Sequence, residues 1–281
     1  TARSVPYAPR PSRLRDSAFL GFVLLMSLAM LLVMGMAVFG SFVKVWPYNL
    51  SLTLNHYTYG FEEAGVENAY RNSLTMAAWC ALIGALLTFA GAYWLEKTRG
   101  ADLVRPIVRL QAMLPMAIPG LVLGIGYILF FNHPANPLNV LYGTMGILVL
   151  STIVHFYSSS HLTAVTALKQ LDNEFESVSA SLKVPFYKTF WRVTVPVCLP
   201  SIIDISRYYF VNAMTTISAV VFLYSPKTML AAISIVQLDE AGAIGSAAAM
   251  ATLIVVRSGI VTLLSFAVEG WFLRRTQGWR R

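Results

Sequence analysis

Residues 169–200 read KQLDNEFESVSASLKVPFYKTFWRVTVPVCLP, a polar and aromatic stretch set between two long apolar runs. The pattern predicts two short helices joined at a proline. Asp172 or Asn173 suits the N-cap of the first, where a side-chain oxygen takes an otherwise orphaned backbone N–H. Glu174 and Glu176 in its first turn suit the positive end of the helix dipole. Phe175, Val178 and Leu182 recur at i, i+3 and i+7 and draw one apolar face. Pro185 ends this helix, because proline lacks an N–H and disfavours the α conformation at Val184. In the second helix Phe186 and Phe190 lie at i, i+4, with Tyr187 and Trp191 beside them and Lys188 and Arg192 as a basic ridge. Pro196 and Pro200 close the excursion. Two readings stand open: an amphipathic hairpin lying at a membrane surface, or an element that docks into a groove on a cytoplasmic partner.

The flanks say why a membrane is involved. The 281 residues are 57% apolar and 12% charged, with mean hydropathy +0.63, whereas a soluble domain carries charge on about a quarter of its residues. The same composition excludes a disordered chain, and two cysteines, Cys80 and Cys198, both in apolar runs, exclude a disulfide scaffold. A spanning helix needs about 20 mainly apolar residues, because lipid offers backbone groups no partner. Six segments meet that need: Ser17 to Val43, Leu74 to Leu95, Ile107 to Phe131, Leu141 to Ala164, Ser201 to Leu223 and Ala247 to Phe266. The third contains Pro115 and Pro119 and is expected to kink or start late. The first run is too long for a cleavable signal peptide. Because the chain starts at Thr1 and not at Met, a trimmed N-terminus or a longer polypeptide is expected.

The formal net charge of +8 would suggest nucleic acid in a soluble domain, but here its distribution matters more. Arg3, Arg10, Arg13 and Arg15 lie before the first span. Lys97, Arg99, Arg105 and Arg109 lie around the second connection. Lys169, Lys183, Lys188 and Arg192 lie in the fourth, and Arg274, Arg275, Arg280 and Arg281 in the C-terminal tail. The alternate connections hold Lys44, Arg71 and Lys227 against Glu62, Glu63, Glu67, Asp239 and Glu240. The positive-inside rule then puts both termini and connections two and four in the cytoplasm, which demands an even number of spans. Topology thus accounts for the basic excess, with anionic lipid at the N-terminal arginines as the lesser reading and no nucleic acid.

With that orientation, residues 171–200 resemble the EAA loop of binding-protein-dependent ABC importer permeases, whose pattern is E-A-A, three residues, Gly, nine residues, I-x-L-P. Leu182, the run Trp191-Arg-Val-Thr-Val-Pro196 and Cys198-Leu-Pro200 set the register. Ser177, Val178 and Ser179 then stand at the E-A-A positions, Glu176 lies one earlier, and Lys183 replaces the glycine. Asn72-Ser-Leu74, Leu114-Pro-Met-Ala-Ile-Pro119-Gly120 and Leu238-Asp-Glu-Ala-Gly242-Ala-Ile-Gly245 resemble further family motifs. Lys44-Val-Trp-Pro-Tyr-Asn49, Phe131-Asn-His-Pro-Ala-Asn-Pro137 and His155-Phe-Tyr-Ser-Ser-Ser-His161 look most similar to the 2-aminoethylphosphonate permeases, a group close to iron(III) and polyamine permeases. Some of that group are tandem fusions, and this chain resembles a second half.

The resemblance implies an all-α polytopic membrane protein with a six-helix type I ABC importer permease bundle. Its permease domain is expected at 17–270, between a cytoplasmic tail at 1–16 and a basic tail at 271–281, with the coupling loop at 169–200. It implies a bacterial plasma (inner) membrane location and no catalysis by this chain. The partners implied are a cytoplasmic ABC ATPase dimer holding ATP and Mg, a periplasmic or extracellular substrate-binding protein, and membrane lipid. A second permease half, identical, paralogous or fused upstream, completes the set. Glu174, Glu176, Leu182, Lys183, Val184, Pro185 and Phe186 are the expected ATPase-coupling residues.

Gly120, Gly124 and Gly126 lie inside an apolar span with no preceding strand, so close helix packing is favoured over a phosphate loop. Ala77, Ala81 and Ala85 repeat that small-residue spacing. No GxxxxGK[ST] loop occurs, so ATP belongs to a partner. His155 and His161 fall roughly 120° apart on a helix, which disfavours a metal site. Thr152, His155, Ser159, Thr163 and Thr166 draw a polar stripe, repeated by Tyr208, Asn212 and Thr215, that must face other helices or water. Interhelical hydrogen bonding is the first reading; a lining for a polar solute, with His155, Ser159, Asn212 and Thr215, is the second. Asp204 and Arg207, at i, i+3, are expected to pair. Arg257, near mid-membrane, needs a partner or a watery face, and structural pairing is favoured over contact with an anionic solute in the path. The reading of another class, a secondary carrier or channel, predicts inverted repeats and paired intramembrane carboxylates, and the sequence offers neither convincingly.

Overall fold

The computed structural model describes residues 12–58, 65–97, 103–172 and 174–276, with side chains up to residue 272. Arg3, Arg10, Glu62, Glu63, Arg99, Asn173, Arg280 and Arg281, and the side chains of Arg274 and Arg275, lie outside the described residues.

Helix α1 (Arg13–Phe42) is a long apolar rod, exposed nearly throughout and packed on the last helix. A small antiparallel hairpin follows, β1 (Val43–Val45) and β2 (Asn49–Leu52), which hydropathy does not announce. The turn Asn55–Tyr57 ties it down. Tyr57 Oη meets Ser41 Oγ at 2.6 Å, and His56 Nε2 lies 2.9 Å from the Val43 carbonyl. Next come α2 (Val66–Lys97), α3 (Val104–Ala117), α4 (Gly120–Phe131), α5 (Met145–Gln170), α6 (Glu174–Ser181), α7 (Phe186–Thr189), α8 (Leu199–Thr215), α9 (Ala231–Glu240) and α10 (Ile244–Thr276). The architecture is all-α apart from the hairpin. α1, α2 and α10 are long and apolar enough to cross a membrane, and the bent pair α3–α4 makes a fourth. α5 carries the polar stripe and α8 has 17 residues, so neither stands out by those criteria.

The core lies where α2, α5 and α8 meet. Tyr209 on α8 is wholly buried. Its hydroxyl lies 2.9 Å from Thr88 Oγ1 and donates weakly to the Ile153 carbonyl at 3.4 Å. The π-helical turn Cys80–Gly84 in α2 places Gly84 against the Tyr209 ring, where a Cβ would come within 2.9 Å of two ring carbons. The absent side chain therefore sets how closely α8 approaches. Gly120 and Gly124 serve likewise: a Cβ at Gly120 would collide with Ser218 and with His155, and one at Gly124 would press on Phe222 at 3.1 Å. Gly126 has open space around it.

The third span breaks between α3 and α4 by 111°. Pro115 lies inside α3 and Pro119 is the N-cap of α4. Ser158 on α5 supports the break. Its hydroxyl donates to the Ala112 carbonyl at 2.7 Å and accepts the Met116 N–H at 3.2 Å, inserting itself into the i to i−4 ladder. The fifth span departs from expectation. Its helix ends at Thr215, not Leu223, and residues 217–223 form turns. Ala219, Val220 and Leu223 are fully buried, so this apolar run faces protein, and Ser151 Oγ donates to the Ala219 carbonyl at 3.0 Å. Irregular backbone at such depth is tolerated where protein covers it. The following segment is held by Asn72, whose Nδ2 donates to the Lys227 and Met229 carbonyls, and by Ser73, whose hydroxyl accepts the Ala231 N–H at 2.8 Å.

Gly84→Ala should overpack the Tyr209 contact and destabilise the chain by about 1–3 kcal/mol. Thermal unfolding of the detergent-solubilised protein is expected to shift down by several degrees.

Candidate functional site

Residues 169–200 fold as the two-helix excursion their spacing predicts. Of the two N-cap candidates, Asp172 does the work among the described residues, its Oδ1 accepting the Glu174 N–H at 3.1 Å. At the other end of α6, the Val184 N–H reaches the Ser179 carbonyl at 2.9 Å and the Lys183 N–H reaches the Ala180 carbonyl at 3.0 Å. This 6→1 and 5→2 pair is a Schellman closure, which requires its C′ residue to be left-handed. Lys183 occupies that position with φ 55°. A glycine is favoured there because it has no Cβ, and lysine bears a cost of about 1 kcal/mol. The turn closes nonetheless, and Pro185 directly follows as the N-cap of α7.

The hairpin's outer surface is apolar and uncovered: Leu182 is 71% exposed and Phe186 69%, with Phe175, Val178, Tyr187 and Trp191 also exposed. Its inner side grips α2. Glu176 pairs with Lys97 at 3.6 Å, and the Lys97 side chain is only 4% exposed. Lys97 Nζ also donates to the Leu171 carbonyl at 3.1 Å. Phe190 stacks obliquely on Tyr93 at 4.7 Å and on Phe89 at 6.0 Å. Tyr93, Trp94 and Lys97 of α2 face Glu176, Val184 and Phe186 across a cleft of about 470 Å³. The structure thus gathers Glu176, Val184 and Phe186 around one cleft, while Glu174 and Leu182 point outward on α6 and its cap. The sequence does not single out Lys97, because a basic residue at a span end reads first as topology, nor Tyr93 and Trp94, which read as part of an apolar span.

The expected path residues are scattered. His155 is half-buried beside Phe156 and packed against Gly120, with Nδ1 buried and without a hydrogen bond. Ser159 offers its carbonyl to Thr163 Oγ1 at 3.1 Å. Asn212 Nδ2 donates to the Tyr208 carbonyl at 2.8 Å, and Thr215 Oγ1 donates back into its own helix at 3.3 Å. Arg257 lies on the exposed face of α10, its Nε 3.5 Å from Tyr70 Oη. Among the described residues no hydrogen bond joins any two of these five. Phe156 on Tyr208, edge to face at 5.9 Å, links the two polar stripes. Asp204 and Arg207 pair at 2.7 Å as expected, and Arg207 also covers the Phe266 ring of α10 at 4.4 Å. No group of three or more His, Cys, Asp or Glu side chains suited to a metal occurs among the described residues.

Residues 89–276 match the family described as binding-protein-dependent transport system inner membrane component. The chain is 32% identical over 247 residues to the ferric transport system permease protein FbpB of Actinobacillus pleuropneumoniae, covering 86% of this chain and 35% of that one. It thus spans about a third of the length of the FbpB relatives it matches. The 2-aminoethylphosphonate transport system permease protein PhnV of Salmonella paratyphi A, so named on a putative basis, is 25% identical over 217 residues, covering 77% of this chain and 78% of that one. In three dimensions the chain is similar to a subunit of a bacterial ABC transporter involved in the import of the acidic polysaccharide alginate. The TM-score is 0.72 at 16% identity, covering 94% of this chain and 100% of that one. The likeness at that identity is one of fold.

Replacing Lys183 by Gly should relieve the left-handed strain and slow hydrogen exchange at the Val184 amide by about fivefold. Glu176→Gln removes the negative charge that faces the buried Lys97, and exchange across residues 174–182 should quicken roughly tenfold, the partial exposure of Glu176 moderating the loss.

Proposed function

The chain belongs to the family of binding-protein-dependent transport system inner membrane components, and from that premise we propose that it forms one half of the membrane channel of an ATP-driven importer. The observation that carries the reading is the hairpin α6–α7. It exposes an apolar surface around Leu182 and Phe186 while its inner side is tied to α2 through Lys97 and Glu176. A groove on an ATPase subunit fits such a surface, in the manner of a helix laid into an apolar cleft. When two such subunits close on ATP, the hairpin is displaced with them. The Glu176–Lys97 pair and Phe190 on Tyr93 carry that displacement into α2, whose π-helical turn abuts Tyr209 at the centre of the bundle. Glu174 and Lys183 stand beside the apolar contact and bias its charge pairing; Val184 and Pro185 set the angle between the two helices. ATP and Mg reside on the ATPase, and this chain performs no catalysis.

In this reading both termini and the hairpin are cytoplasmic, as the distribution of basic residues favours. A periplasmic or extracellular binding protein delivers solute to the opposite face. A second half, identical, paralogous or fused, completes the channel. His155, Ser159, Asn212, Thr215 and Arg257 are assigned to the path by their polar character in an apolar setting, and His155 is the strongest of them because its Nδ1 is buried and unengaged. The solute is small and polar. Ferric iron is suggested by the relatives of higher identity, and 2-aminoethylphosphonate by relatives that this chain spans for most of their length.

Leu182→Asp and Phe186→Asp, both at exposed positions, should reduce co-purification of the ATPase more than tenfold while the amount of chain in the membrane is unchanged. Transport by this chain alone in lipid vesicles would instead establish a secondary carrier and overturn the reading. Competition between ferric iron and 2-aminoethylphosphonate for the cognate binding protein, followed by uptake assays, separates the two solutes.

A further inference from the structure

Beside the end of α2, away from the hairpin's cleft, the first turns of α3 form a second cleft of about 520 Å³ lined by Leu95, Arg105, Pro106, Arg109, Leu110 and Met113. Its chemistry is divided. Arg105 and Arg109 lie one turn apart on α3 and share a face, while Leu95, Leu110 and Met113 supply an apolar wall. Glu96 anchors the arrangement: its carboxylate accepts from Arg109 Nη2 at 2.9 Å, with the Glu96 side chain 13% exposed and that of Arg109 58% exposed. This contact engages one of the five N–H donors of the guanidinium and holds it at the mouth of the cleft. With Lys97 paired to Glu176, the stretch from Leu95 to Met113 carries Arg99, Arg105 and Arg109 against Glu96 and Asp102, an excess of one positive charge in the sequence from which the cleft is drawn.

The position selects the ligand. Arg105 and Arg109 follow immediately on the connection between two apolar helices, where long basic side chains reach the membrane–water boundary. From Arg105 to Met113 the helix rises about 12 Å into the apolar region, and the outward residues Ile107, Leu110 and Leu114 continue the apolar surface along α3. A ligand that fits carries an anion at the boundary and a hydrocarbon tail running down the helix. A free phosphate fills only the first part, and a polar solute in transit has no tail. Basic pockets between helices on the cytoplasmic side of a membrane attract anionic head groups for the same electrostatic reason.

We propose that this cleft binds an anionic phospholipid of the surrounding leaflet, its phosphodiester held by Arg105 and Arg109 and one acyl chain lying along Leu110 and Met113. The site is distinct from the coupling cleft, which uses Lys97, and from the polar stripe residues. It requires only that α2 and α3 lie in a membrane and stands whether or not the chain partners an ATPase.

The test uses the full chain, with any subunits that co-purify, stripped of lipid and offered equal amounts of phosphatidylglycerol and phosphatidylcholine, with retention read by native mass spectrometry. The expected result is a preference for phosphatidylglycerol of roughly fivefold, the attraction of one net basic charge near the surface. The preference should vanish in R105Q/R109Q, whose fold is checked by thermal unfolding in phosphatidylcholine. Met113→Trp, which keeps both arginines but fills the cleft, should lower retention of phosphatidylglycerol, and it decides the matter where R105Q/R109Q does not fold. R13Q/R15Q, which removes two basic residues elsewhere, should keep the preference. Equal retention of the two lipids overturns the proposal. So do an unchanged preference in Met113→Trp, a preference lost equally in R13Q/R15Q, and displacement of the lipid by millimolar inorganic phosphate, which would mark a free-anion site.

Discussion

Within hydrocarbon a backbone N–H or carbonyl without a partner costs several kcal/mol. Two departures from straight helix among the described residues are accordingly met by side chains from other elements. Where Pro115 weakens α3, the Ser158 hydroxyl bridges Ala112 and Met116. Where α8 stops at Thr215 and the chain turns back, Ser151 takes up the Ala219 carbonyl, while Asn72 and Ser73 bind the strand of residues leading into α9. The polar residues of α2 and α5 thus act largely as supports for broken backbone. The breaks let the bundle depart from parallel rods, and the glycines at 84, 120 and 124 let it do so at close range.

The two-helix excursion at residues 174–189 obeys a different constraint. Its short helices are exposed and closed locally, by Asp172 at one end and by the Schellman turn at Lys183 at the other. Its orientation comes instead from one buried charge. Lys97 has almost no access to water, so its ammonium must be met by Glu176 and by the Leu171 carbonyl. A pair of this kind adds little net stability but fixes geometry.

Much of this was legible in residues 169–200 and in the distribution of charge: two helices, the proline break, the exposed aromatic tip and the Asp204–Arg207 pair all follow from spacing. The hairpin at 43–52, the early end of α8 and the anchoring role of Lys97 were not. The run from Ile217 to Leu223 is apolar whether it meets lipid or protein, and hydropathy registers only that it avoids water. Lys97 reads as one more basic residue at a span end until the fold brings Glu176, 79 positions later in the chain, to its side.

The sequence by itself determined which segments shun water, where the long apolar runs end and how the polar excursion at 169–200 folds, because these depend on composition and on spacings within a few turns. Only the tertiary structure decided which apolar segments are straight spans and which are folded back. It also decided which polar residues repair backbone, and which charge is buried enough to orient the hairpin. Those outcomes depend on what stands opposite each residue, and in this chain the opposite group comes from another helix.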